Sequence, residues 1–83
     1  MEVRVHPHAL ERLQERGATE EEVRATVEQG EQFPGKFGRT GLRRNFRFDS
    51  AWRENHYHTK QVEAYAVQES GPWLVITVIT LYL

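Results

Sequence analysis

His8, Arg12 and Arg16 are spaced four residues apart. On a helix turning about 100° per residue, Arg12 lies about 40° and Arg16 about 80° from His8, so the three form one row. A histidine exchanges protons near neutral pH, and an arginine grips a phosphate through paired N–H bonds. Such a row suits proton transfer at a phosphodiester. The same spacing also describes an ordinary charged flank, with Arg12 and Arg16 paired to Glu11, Glu15 or the glutamates of the next helix.

A second group lies mid-chain. Residues 33–60 carry a net +5, whereas residues 1–32 carry −4, and the whole chain has a formal charge of −1. Arg39, Arg43, Arg44, Arg47, Arg53, Lys36 and Lys60 alternate there with Phe33, Phe37, Phe46, Phe48, Trp52 and Tyr57. Cations hold a nucleic-acid backbone and rings stack on its bases, so this mixture suits a single strand. The competing reading puts Phe46 and Phe48 in the core and the arginines on a solvated strand face.

Other chemistries find less support. On a strand, His56 and His58 point the same way, but a catalytic zinc site usually needs a third protein ligand. Neither a metal nor another cofactor is expected. Gly35-Lys36-Phe37-Gly38 lacks the phosphate-loop spacing. The two serines, Ser50 and Ser70, fall in expected connections, so serine nucleophile chemistry is not expected.

These residues need elements to position them. Pro7 suits the first turn of a helix running over about 7–16, with Ala9, Leu10 and Leu13 on its buried side and Gly17 as a left-handed stop. Thr19-x-x-Glu22 is a capping box opening a second helix over about 20–29, with Val23 and Val27 facing the core. A short strand over Glu2–Val5 precedes both helices. Residues 31–41, with Pro34 and glycines at 35, 38 and 41, are expected to be a loop. Strands are expected over 42–48, 60–68 and 73–82, with 49–55 as a connection. The last strand is apolar on both faces, so the face away from the helices needs a cover, either residues 31–41 or a second copy. The fold class is therefore α+β, one domain over residues 1–83, with two helices on one face of an antiparallel sheet.

Size and composition agree with a small domain. There is no cysteine among the 83 residues, so no disulfide or thiolate metal cluster can form. A small secreted domain usually carries such staples, so a cytoplasmic location is expected. The longest apolar run, Trp73–Leu83, is well short of the roughly 20 residues of a spanning helix, and no membrane partner is expected.

The segment His8-Ala9-Leu10-Glu11-Arg12-Leu13-Gln14-Glu15-Arg16-Gly17, continuing Ala18-Thr19-Glu20-Glu21-Glu22-Val23, resembles the opening of a family of small bacterial domains. That family begins H-A-x-x-R-x-x-x-R-G and is grouped with RelE-like and BrnT-like toxins. The closing strand, Val75–Tyr82, is similar more loosely. The resemblance implies a RelE-like fold and metal-free RNA cleavage through the 2′-hydroxyl. It also implies RNA and an antitoxin or other small protein as partners. His8, Arg12 and Arg16 match the motif positions, while Arg44, Lys60, Thr80 and Tyr82 are analogous by strand position only. The sequence pI of about 6.4 departs from the strongly basic character of many such toxins and counts against ribosome-dependent cleavage.

Metal-free cleavage needs a base, an acid and cations for the charged phosphorane. The expected catalytic set is His8, Lys60 and Tyr82. The expected RNA-binding set is Arg12, Arg16, Arg43, Arg44 and Arg47. The alternative is a non-catalytic module that binds a protein or forms a homodimer through a strand edge or the apolar last strand.

Overall fold

Local signals set both helices in the computed structural model, which describes residues 1–83. Helix α1 spans Pro7–Arg16 and α2 spans Glu20–Gln29. The Thr19 hydroxyl accepts from the Glu22 N–H at 3.1 Å, and the Glu22 carboxylate accepts from the Thr19 N–H at 2.9 Å, so the capping box is formed. Gly17 ends α1 at φ 74°, a left-handed conformation that an L side chain enters at a cost.

Five strands follow the order β1-β5-β4-β3-β2 across one sheet. They are β1 (Val3–Val5), β2 (Glu31–Pro34), β3 (Thr40–Trp52), β4 (Asn55–Gln68) and β5 (Trp73–Tyr82). Pairing is antiparallel except that β1 runs parallel to β5. Parallel pairing needs a long connection, and the two helices between β1 and the rest of the sheet help to supply it. The α+β class with a short first strand holds, in a mixed rather than purely antiparallel sheet.

Two connections expected from sequence are strands. Residues 31–34 pair with 40–43 as the edge strand β2, and Gly35–Gly38 forms only the turn beyond it. β3 does not stop at Phe48. A bulge between Arg47 and Ser50, with Asp49 at φ 41°, absorbs one extra residue and lets pairing continue to Trp52↔Asn55. Arg53 and Glu54, at φ 49° and 75°, make the two-residue turn. Positive φ at both positions is the type I′ geometry, usually signalled by Asn-Gly, and Arg-Glu carries no such signal.

The core lies between the helices and one sheet face. Leu13, Val23 and Val27 meet Leu42, Val62, Ala64, Ala66, Val75 and Val78, all buried. The alanines on β4 let α2 lie close. A register shift between Tyr65 and Ala66 leaves Ile76 as the extra residue in β5. Strict alternation would put Val75 and Val78 on opposite faces; the bulge returns both to the core.

Candidate nucleic-acid interface

Helix α1 places the sequence-derived row beside β5. The His6 ring accepts from the His8 N–H at 3.1 Å and caps the helix. Burial of Ala9 and Leu13 turns His8, Arg12 and Arg16 to one flank. There they line a cleft of about 210 Å³ closed on its other side by Ile76, Thr77 and Val78. His8 and Arg12 are exposed and Arg16 is half-buried. None of the ion pairs or side-chain hydrogen bonds engages the Arg12 or Arg16 guanidinium, so the pairing with nearby glutamates is not made.

β5 is open on that side. β1 pairs only with Trp73–Val75, and beyond it β5 has a neighbour on the β4 side alone. Leu83 exchanges N–H and C=O bonds with Thr59 at 2.9 and 3.0 Å. By the two-residue repeat of a strand, the backbone groups of Val78 and Thr80 therefore face away from β4.

The other proposed proton carriers lie elsewhere. Lys60 is buried; its ammonium donates to the Gly17 carbonyl at 2.8 Å and pairs with Glu22 at 2.8 Å. The Thr80 and Tyr82 hydroxyls both donate to the Arg16 carbonyl, at 2.6 and 3.1 Å. Arg53 reaches the Glu15 carbonyl at 3.1 Å. These four side chains satisfy the Glu15 and Arg16 carbonyls at the end of α1 and that of the capping Gly17, which have no partner within a helix. Two cations there also oppose the negative end of the helix dipole. Burial pushes the Tyr82 hydroxyl above its ordinary pKa of 10.0, and the Glu22 charge adds to the effect. The Trp52 ring stacks on Tyr82 at 5.0 Å and closes this corner. Eight residues of helix rise about 12 Å, so His8 stands at the opposite end of α1 from Lys60 and Tyr82. One phosphodiester cannot contact all three, and the expected catalytic set does not converge.

The expected RNA-binding arginines also divide. Arg44 lies on the helix side, bonded to Gln29 at 2.6 Å and over the Phe46 ring. Arg43 is on the opposite sheet face, with its guanidinium 4.2 Å from the centre of the Phe33 ring and its Nε 3.3 Å from Glu63. Arg47 is exposed and paired with Asp49 at 2.6 Å. That bond, and a second from His58, hold the Asp49 carboxyl below its ordinary 3.8. His56 and His58 do share a face, with rings 5.4 Å apart, but no group of three metal-ligating side chains converges.

A larger cleft of about 340 Å³ lies on the sheet face away from the helices. Phe33 packs edge-on against Tyr65 at 5.8 Å and forms one wall, so residues 31–41 cover part of that face. Lys36, Phe37, Arg39, Thr77 and Ile79 complete the lining. Burial, followed by a hydrogen bond to Glu63, raises the Tyr65 pKa above 10.0. Sequence reasoning placed Lys36, Phe37 and Arg39 in the basic, aromatic middle without singling them out as site residues. Only the β2–β3 hairpin shows where they project.

Seven of the eleven lysines and arginines have a side-chain bond or ion pair, and four do not: Arg12, Arg16, Lys36 and Arg39. Those four line the two clefts, two in each, and Thr77 lines both. The two clefts therefore adjoin at Thr77 on β5.

No protein-family model matches the chain, and no curated protein or solved structure matches it. No helix is long and apolar enough to cross a membrane.

Proposed function

We propose that this domain is RNA-directed, of the RelE-like kind, and binds a single strand along the flank of α1. The observation that carries the reading is the unpaired state of Arg12 and Arg16 beside an exposed His8 in one cleft. Leaving two arginines without a carboxylate, on a surface rich in glutamate, keeps them free for an external anion. Phosphate is an anion whose geometry the arginine fork matches through paired N–H bonds. The backbone N–H groups at the open β5 edge are further donors for it.

The geometry favours binding over cleavage. His8 is the one proton carrier in the cleft, and general acid–base cleavage uses two. As a ribonuclease, the domain would take its second proton carrier from water or from an RNA-bound partner. The test uses fluorescence anisotropy and gel assays on short single-stranded RNA in EDTA, with and without ribosomes. Replacing both Arg12 and Arg16 by Ala is expected to weaken binding at least tenfold. His8→Ala is expected to weaken affinity less than the double arginine variant and, wherever the wild type cuts, to slow cutting by about 10²- to 10⁴-fold. A wild type that binds no RNA at low salt overturns the proposal.

A second reading has its own observation. The open stretch of β5, Ile76–Tyr82, carries no charged residue, and an uncharged edge readily accepts another strand. An antitoxin-like protein or a second copy would then occupy it. Sedimentation and partner capture are decisive for that reading if RNA binding fails.

A further inference from the structure

Phe37 is the most exposed large apolar side chain in the molecule, at 89%. It also sits at φ 60°, in the left-handed region, where a residue with a Cβ carries a cost of about 1–2 kcal/mol. A glycine follows it directly, so the turn could have been built without a ring at this position. Burial does not explain Phe37, and the backbone disfavours it.

Its surroundings point to a ligand. Phe33, the neighbouring ring, already has Arg43 on one face and Tyr65 against its edge. Phe37 has no aromatic or cation partner. On either side of it, Lys36 and Arg39 are two of the four unengaged cations, and no carboxylate lines the groove. The groove is aromatic and cationic, and it adjoins the α1 cleft at Thr77, which lines both.

We propose that this groove takes an unpaired nucleobase of the same RNA strand, stacked on Phe37, with Lys36 and Arg39 on the flanking phosphates. The inference rests on the RNA-directed reading and extends it from phosphate contacts to a base. A volume of about 340 Å³ is at the small end of ligand sites and suits one nucleotide rather than a helix. A duplex offers no free base face to Phe37, so the substrate class is unpaired RNA. The strand passes from the His8–Arg12–Arg16 row over the β5 edge at Thr77. Sequence preference is then weak, because every base has a stacking face.

The test compares two labelled probes of equal length: a short single-stranded RNA, and the same ribose-phosphate chain without bases. Both are titrated against wild type, Phe37→Ala, Phe37→Gly, Phe37→Trp and the Arg12→Ala/Arg16→Ala double variant. Stacking of one base predicts that Phe37→Ala weakens the base-bearing probe by about 5- to 150-fold and leaves the abasic probe unchanged. Phe37→Trp should retain binding. Phe37→Gly relieves the backbone at this position, so its loss of binding has no unfolding explanation. The double variant should weaken both probes. If Phe37→Ala binds the base-bearing probe as well as wild type, while the double variant does not, the base site is overturned and the RNA reading stands. Equal losses on both probes also overturn it. If wild type binds neither probe, both proposals fall together.

Discussion

Lys60, Thr80 and Tyr82 show how residue type misleads without position. An amine and a phenol look like proton carriers, but here both are committed to the end of α1. Their burial has a consequence at high pH. Tyr65 and Tyr82 both have folded pKa values above 10.0, chiefly because burial penalises the phenolate. Above about pH 10 the folded chain therefore holds protons that the unfolded chain releases. Stability is fully present below that pH and falls as pH rises through the folded values. Urea unfolding of wild type and of a Tyr65→Phe/Tyr82→Phe variant, at about pH 8.5 and pH 10.5, tests this. The wild type should lose more stability over that interval; equal losses would exclude the two tyrosines as the cause.

The junction between α1 and the sheet is tightly packed. Gly17 turns the chain in the left-handed region, and a Cβ there would run into the Tyr82 hydroxyl and the Trp52 ring. Gly17→Ala therefore combines backbone strain with overpacking and should cost about 2–3 kcal/mol. Lys60→Ala leaves the Gly17 carbonyl without its donor and Glu22 with only the Thr19 N–H, in a largely buried setting, and should cost roughly 3 kcal/mol. Chemical denaturation measures both. RNA affinity of Lys60→Ala, assayed well below its melting temperature, should match wild type, because Lys60 lines neither cleft. A selective loss of affinity would return Lys60 to the functional site.

For the whole molecule, net charge is a poor guide and charge engagement a better one. The chain carries −1 overall, yet its four unengaged cations lie on two adjoining clefts. Their number makes a quantitative prediction. Neutralising four phosphates of a single strand gives a slope of about −3 in log affinity against log salt concentration. Titrations across a salt series measure the slope, and the Arg12→Ala/Arg16→Ala variant should halve it. A wild-type slope near zero would mean that these cations do not meet phosphates.

Both helices were legible from local sequence because their causes are local: Pro7, Gly17, the Thr19–Glu22 box and the valine spacing act within a few residues. Of the three long strands, β3 was legible over 42–48 as a run of alternation and β5 as a run apolar on both faces. The β3 bulge, the Arg53–Glu54 turn and the edge strand β2 were not, because pairing across the sheet imposed them on residues with no matching local preference. The His8–Arg12–Arg16 row was readable because a helix puts residues four apart on one side. Its state was not: whether an arginine is paired depends on carboxylates brought near by other elements. The same holds for Lys36, Phe37 and Arg39, which meet Tyr65, Thr77 and Ile79 only when β2 and β3 pair. Sequence alone determined both helices, the expected parts of the longer strands and one row of side chains. Tertiary structure decided which cations stay free and that their clefts adjoin, because both depend on contacts between residues far apart in the chain.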